Sequence, residues 1–199
     1  MSLFFPSFFE GNEYFIDEKV QFLKFGNEYR VYDATGFQIG MVRQNVPGWH
    51  KVLRLLLNKK MLPFQLAITD SNEQEVATIH RGWTFWMSKI TIKDGSGNDI
   101  GYIRQRFTFL KPKFQIFDTS GQQISEISGD WKAWNFNIVD PGGNQIGSIN
   151  KKWAGLGKEL FTTADKYNVS IVPQYAEDRN KMNIVATAIT IDMVLKESK

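Results

Sequence analysis

The sequence predicts a mainly β protein: a closed barrel of repeated β-hairpins enclosing a hydrophobic C-terminal α-helix. Three observations predict it. One motif occurs five times: an alternating strand, an aspartate, a turn and a second strand. The stretch Asn183–Leu195 (NIVATAITIDMVL) is apolar nearly all round. Finally, about a dozen strands closed on themselves leave an interior wider than their own side chains fill, and such a segment would fill it.

The hairpins come first. The motif is clearest at YRVYDATGFQIGMV (Tyr29–Val42) and ITIKDGSGNDIGYI (Ile90–Ile103), and it recurs at FQIFDTSGQQISEI (Phe114–Ile127) and FNIVDPGGNQIGSI (Phe136–Ile149). FQLAITDSNEQEVATI (Phe64–Ile79) is a looser copy. The aspartates Asp33, Asp70, Asp94, Asp118 and Asp140 lie 37, 24, 24 and 22 residues apart. Alternation such as Tyr29 and Val31 against Arg30 and Tyr32 puts one face inward and one outward. Aspartate accepts hydrogen bonds from the backbone of a following turn. Gly36, Gly97, Gly121 and Gly143 supply positive φ at the reversal. Gly40, Gly101 and Gly147 fall inside second strands, where glycine marks a bend or the close approach of another element. The aspartates are read as turn formers, not as a row of metal ligands.

A strand is expected before the first hairpin, within Glu13–Phe25, and another at Tyr167–Val172 (YNVSIV) after the last. A propeller blade needs more strands per repeat than one hairpin gives, whereas closure into one barrel removes sheet edges. Asn183–Leu195, drawn as a helix, must be buried on nearly all sides. At roughly 20 Å it falls short of the ~30 Å hydrocarbon core of a bilayer, so it reads as a core helix and not as an anchor. Its core residues are Ile184, Val185, Ala188, Ile189, Ile191, Val194 and Leu195. Two further helices are expected, at Trp49–Lys60 (WHKVLRLLLNKK) and Lys152–Thr163 (KWAGLGKELFTT). The first is basic and amphipathic; it can lie on an anionic membrane or pack its leucines on the barrel.

The 199 residues suit one domain over positions 1–199, with 42% apolar and 23% charged residues marking a soluble globular class. A net charge of +3 is too mild to argue for nucleic acid, and none is expected as a partner. Without cysteine there is no disulfide, thiol nucleophile or thiolate zinc site, which suits the cytoplasm. The start, MSLFFPSFFEG, lacks the basic n-region and unbroken apolar core of a signal peptide. Its Phe4, Phe5, Phe8 and Phe9 are expected to cap an open end of the core; the competing reading is insertion into a membrane interface or partner.

Catalytic chemistry is not signposted. His50 and His80 sit in no ligand or triad spacing, and no nucleophile elbow, P-loop, dinucleotide fingerprint or zinc-protease motif occurs. Basic residues do cluster with aromatics: Arg104, Arg106, Lys111, Lys113, Lys151, Lys152 and Lys158 among Phe107, Phe109, Phe114 and Trp153. Such a mixture can bind lipid headgroups.

Five stretches carry a family resemblance. QIGSINKKWAGLGKELFTTADKYNVSI (Gln145–Ile171), followed by Ile184–Leu195, resembles the C-terminal part of phospholipid scramblases. LPFQLAITDSNEQEVATI and DIGYIRQRFTFLKPKFQIFDTSGQQISEISG resemble that family's central strands. YFIDEKVQFLKFGNEYRVYD is similar to the LURP-one-related proteins of the same superfamily. The resemblance implies the tubby C-terminal-like fold, a twelve-stranded barrel around a central hydrophobic C-terminal helix. It also implies action on membrane phospholipids, with calcium as the family's cofactor. The family's calcium segment corresponds to Thr163–Gln174, where Asp165 matches one acidic position while Thr163 and Gln174 replace two others. One carboxylate makes at most a weak calcium site. The family's cysteine cluster has no counterpart.

The expected function is therefore association with anionic phospholipid headgroups at Lys151, Lys152, Lys158, Arg104 and Arg106, in a cytoplasmic protein peripheral to the membrane. Movement of lipid between leaflets follows from the resemblance alone. The alternative is a soluble barrel that binds a protein partner and has no lipid activity.

Overall fold

In the computed structural model, residues 5–19, 28–45, 63–83, 89–107, 112–130, 132–151, 166–175 and 179–197 are described. They form twelve strands and a C-terminal helix. The strands are β1 (Glu13–Lys19), β2 (Glu28–Tyr32), β3 (Gln38–Asn45), β4 (Phe64–Asp70), β5 (Glu75–Arg81) and β6 (Lys89–Asp94). They continue with β7 (Asp99–Phe107), β8 (Pro112–Asp118), β9 (Gln123–Asp130), β10 (Asn135–Val139), β11 (Gln145–Asn150) and β12 (Lys166–Ile171). Each pairs antiparallel with its sequence neighbours, and β12 closes the barrel against β1, with Tyr14 opposite Val169 and Ile16 opposite Tyr167. The helix α1 (Arg179–Glu197) runs through the middle.

The five motif copies are the hairpins β2–β3, β4–β5, β6–β7, β8–β9 and β10–β11, so their turns all lie at one end of the barrel. The reversal residues hold φ of 83° (Gly36), 81° (Gly97), 89° (Gly121) and 84° (Gly143); in the loose copy Glu73 takes the same conformation at 62°. Each hairpin carries a β-bulge one step past its turn. The extra residue is Ile39, Val76, Ile100, Ile124 or Ile146, and the next residue is small: Gly40, Ala77, Gly101, Ser125 or Gly147. A bulge adds an unpaired residue and bends its strand. Here it turns an apolar side chain toward the rim of the core, and the small residue leaves room within. A Cβ on Gly101 would stand 2.6 Å from Asn183 Nδ2 of the helix and 2.5 Å from the Phe117 carbonyl oxygen. A Cβ on Gly40 would meet the Phe8 ring at 2.8 Å. Close approach of another element is thus the reason for both glycines.

Every residue of α1 from Lys181 to Leu195 is buried, as an all-round apolar helix requires. Most of its polar side-chain atoms are hydrogen-bonded, while Asn183 Oδ1 is buried without a partner. Thr187 and Thr190 donate back to the carbonyls of Asn183 and Ala186, both at 2.7 Å. Asn183 Nδ2 donates to the Ile100 carbonyl at 2.9 Å. At the other end β2 and β12, the strands flanking β1, hold the helix through inward tyrosines. The Tyr29 hydroxyl donates to Asp192 at 2.6 Å, and the Tyr167 hydroxyl to the Ile189 carbonyl at 2.5 Å. The helix therefore enters at the turn end and leaves at the opposite one. Among the described residues no helix is long and apolar enough to cross a membrane.

The N-terminal aromatics close the turn end. Ser7–Phe9 form a single 3-10 turn in which Phe8 and Phe9 are buried, Phe9 completely. Phe9 packs edge-on to Phe8 at 5.0 Å, and Lys181 of the helix donates to the Glu10 carbonyl at 3.0 Å. Phe8 and Phe9 thus lie buried against the core at this end, as the cap reading expects, and the competing reading of insertion does not suit these two rings. Phe5 is partly buried against them, and Phe4 lies outside the described residues. The strand expected within Glu13–Phe25 is described to Lys19. The expected helices Trp49–Lys60 and Lys152–Thr163 lie outside the described residues.

Candidate functional site: a basic and aromatic outer face

Strand alternation decides which side chains reach the outside of β6, β7 and β8. Ile90, Ile92, Ile103, Phe114 and Ile116 point into the barrel and are fully buried. Their neighbours Lys89, Tyr102, Arg104, Arg106, Lys113 and Phe117 therefore point out. The register sets Lys89 opposite Arg104, Tyr102 opposite Phe117, and Arg106 opposite Lys113. Tyr102 and Phe117 stack with centroids 4.9 Å apart and planes 8° from parallel. The Arg104 guanidinium lies 5.4 Å from the Tyr102 ring and 5.0 Å from Phe117, and Lys89 Nζ lies 4.3 Å from Tyr102. Ring faces attract cations without neutralising them.

The charges on this face are unevenly matched. Lys113 pairs with Glu126 at 2.9 Å. Lys89, Arg104 and Arg106 are exposed, and none of the three makes an ion pair among the described residues. Three unneutralised cations on two adjacent strands, above an aromatic pair, suit an anionic group that can be approached from outside. Two arginines add the fork geometry that matches phosphate oxygens.

Of the residues expected from sequence, Arg104 and Arg106 come together here, joined by Lys89, Tyr102 and Phe117, which sequence reading missed. Counting outward from the Asp94–Gly97 turn sets Lys89 opposite Ile103; the bulge at Ile100 moves its partner to Arg104. Lys151 lies elsewhere, at the end of β11. Its N–H donates to the Trp134 carbonyl at 3.2 Å and its Nζ stands 4.8 Å over the Trp134 ring. Trp134, at φ 50°, is itself packed on Tyr167 and Phe136. Lys152, Lys158 and Asp165 lie outside the described residues.

The turn aspartates make the competing site, and in each of them Oδ1 is engaged by its own turn. Asp33 Oδ1 accepts the N–H groups of Thr35 and Phe37 at 2.8 and 3.0 Å, and Asp94 Oδ1 those of Ser96 and Asn98 at 3.0 and 2.9 Å. Asp70, Asp118 and Asp140 repeat the pattern. For Asp118 the Ser120 hydroxyl, and for Asp140 the Asn144 amide, holds the carboxyl below its ordinary value, with backbone N–H groups adding to both. For Asp33 burial opposes the charge, and the Thr35 hydroxyl and three backbone N–H groups outweigh it. These carboxylates build turns. Among the described residues no group of three or more His, Cys, Asp or Glu is placed to hold a metal. The stretch that resembles the family's calcium segment forms β12 over Lys166–Ile171, which contains no carboxylate.

Fold and face together define the class: a closed twelve-stranded barrel around a buried helix, carrying a cation-rich aromatic patch on its outside. The chain belongs to the Scramblase family, whose model matches residues 20–198. A search of curated proteins found no match. Among solved structures the chain is similar to the X-ray structure of a protein from Arabidopsis thaliana. The TM-score is 0.54 at 10% identity, over 93% of this chain and 93% of that one. At that identity the likeness is one of fold.

Proposed function

We propose that this Scramblase-family barrel binds anionic phospholipid headgroups through the outer face of β6–β8, as a protein peripheral to the membrane. The supporting observation is the exposed trio Lys89, Arg104 and Arg106, which makes no ion pair among the described residues, with Lys89 and Arg104 against the rings of the Tyr102–Phe117 pair. Each basic residue near an anionic leaflet is worth about 1 kcal/mol, so the trio supplies roughly 3 kcal/mol at moderate salt. Headgroup binding leaves α1 where it is, inside the barrel. Movement of lipid between leaflets, which the family name implies, would then have to proceed without a helix of this barrel crossing the bilayer.

Flotation with phosphatidylcholine vesicles, with and without phosphatidylserine, tests the reading. Binding is expected only with the anionic lipid, weakening as salt rises. Arg104→Glu with Arg106→Glu should lower it roughly tenfold or more. Equal binding to neutral vesicles would sink the proposal. In the same vesicles, labelled lipid with and without calcium reads transbilayer movement; no movement in either condition removes that activity and leaves binding standing.

A further inference from the structure

We propose that His80 is a fourth member of this anion-binding face, and that it makes the grip on anionic lipid pH-dependent, tighter in mildly acidic solution. This rests on the headgroup-binding reading above and adds a residue and a form of regulation to it.

Register places His80 beside the site. In β5, Ile79 and Arg81 are buried and point into the barrel, so His80 between them points out, and it is exposed. It stands opposite Gln65 on β4 and Thr91 on β6. Thr91 in turn faces Tyr102, and Tyr102 faces Phe117. His80, Thr91, Tyr102 and Phe117 thus form one row across the outside of β5 to β8. Lys89 and Arg104 belong to the next row, Lys89 standing two residues along β6 from Thr91. Diagonal neighbours of this kind lie about 7–8 Å apart, within reach of long side chains. An anionic group seated over Lys89 and Arg104 can therefore be reached by the imidazole.

Charge around His80 gives it this role. The chain has two histidines and no cysteine, and histidine is the side chain that ordinarily changes charge between roughly pH 5 and 8. Toward β4 the outward residues Gln65, Ala67 and Thr69 are uncharged. Toward β6 the diagonal neighbours are Lys89 and Lys93, and Lys93 is bonded to Asp99 at 2.6 Å. Asp94, opposite Ala77, is held by its own turn. Tyr102 and Arg104 follow on β7. On β5 itself Glu75 lies at the turn end, opposite Thr69, and Arg81 points inward. Behind the sheet, Lys181 and Asp192 of α1 are buried inside the barrel. No carboxylate among the described residues forms an ion pair with His80. An anion arriving from outside is the partner that suits the charged imidazole, and an anion beside an imidazole favours that form. Linkage is reciprocal, so the proton favours the anion to the same degree. Binding at this face takes up a proton, and acidification tightens binding.

The test uses the full chain and vesicles of phosphatidylcholine with phosphatidylglycerol, whose phosphodiester keeps its charge across the range tested. Flotation is compared at about pH 7.5 and about pH 5.5 at one ionic strength. Wild type should bind about fivefold tighter at the lower pH, the effect of one more basic residue near an anionic leaflet. His80→Gln should bind as wild type does at the higher pH and lose most of the gain. His80→Lys, charged at both, should bind at the higher pH about as tightly as wild type does at the lower. Thermal melts of both variants, expected to match wild type at each pH, check their folding. Wild-type binding that is equal at the two pH values, a full acid gain in His80→Gln, or no tightening in His80→Lys overturns the role of His80 and leaves headgroup binding intact. Failure of wild type to float at either pH overturns the headgroup-binding reading, and the role of His80 with it.

Discussion

The two ends of the barrel are built on opposite plans. At one end five short hairpins repeat a single chemistry: an aspartate that accepts backbone N–H groups, a residue at positive φ, a bulge and a small inward residue. That end is sealed by Phe8 and Phe9, and its five turn segments carry acidic residues and no basic one, with their aspartates engaged in the turns. At the other end the strands are joined by connections of unequal length, rich in lysine and arginine by sequence. Lys89, Arg104 and Arg106 stand there without acidic partners among the described residues. Satisfied carboxylates stabilise their own turns and offer little to a ligand. Unneutralised cations add little to stability and are available for binding. The difference teaches that repetition here marks scaffold, and that the departure from repetition marks the face that can meet a partner.

Mutations can break that contrast, beginning with the plug. Phe9→Ala should lower stability by about 3–5 kcal/mol, measured by denaturant unfolding, because the ring is completely buried over the helix entrance. A loss under about 1 kcal/mol would mean the turn end does not need its plug. Gly101→Val should cost about 2–3 kcal/mol, since a Cβ there meets both the Phe117 carbonyl and Asn183. Gly82→Ala, at the connection end, has nothing within 4 Å of the new methyl and should change stability by less than about 0.5 kcal/mol. Tyr29→Phe should cost about 1–2 kcal/mol by removing the hydroxyl that donates to the buried Asp192.

The turn carboxylates sharpen the comparison through pH. Asp33, Asp118 and Asp140 have folded-state values below the ordinary aspartate value. A group depressed on folding contributes stability above its unfolded pKa of ~3.9 and loses it as pH falls further through the folded value. Denaturant midpoints should hold steady down to about pH 4 and fall below it. Asp118→Asn with Asp140→Asn should flatten that acid limb. An unchanged limb would show that these turns do not set it. The smallest stability effect belongs to the basic face: Arg106→Glu should alter stability by less than about 0.5 kcal/mol while weakening vesicle binding.

What the sequence disclosed follows from the range of the forces involved. The Asp-turn-Gly hairpins were legible because their chemistry is local: Asp118, Gly121 and Gln122 act within five consecutive residues. The core helix was legible because Ile184 to Leu195 are apolar on every side. Arrangements that depend on register were not. Lys89 and Arg104 are brought opposite each other by one bulged hairpin, and the bulge shifts the count by one. Lys151 was grouped with Arg104 by residue type, yet it stands just past the end of β11 against Trp134, several strands round the barrel. Gly40 and Gly101 were read as marking either a bend or a close approach; that something approaches, and that it is Phe8 and Asn183, is set by tertiary packing.

The order in which this molecule can assemble follows from where its core lies in the chain. The hairpins are local contacts and can form as the ribosome releases them. The last seam, β12 on β1, joins residues more than 150 positions apart, as in Ser170 with Glu13. The helix that fills the barrel is synthesised after all twelve strands. Until Arg179–Glu197 emerges, the inward faces of the finished hairpins have nothing to pack on. Nascent chains of this kind expose apolar surface for the whole of their synthesis. The barrel must fold around its last element, so a truncation that removes only α1 should yield aggregation-prone hairpins and no smaller folded barrel.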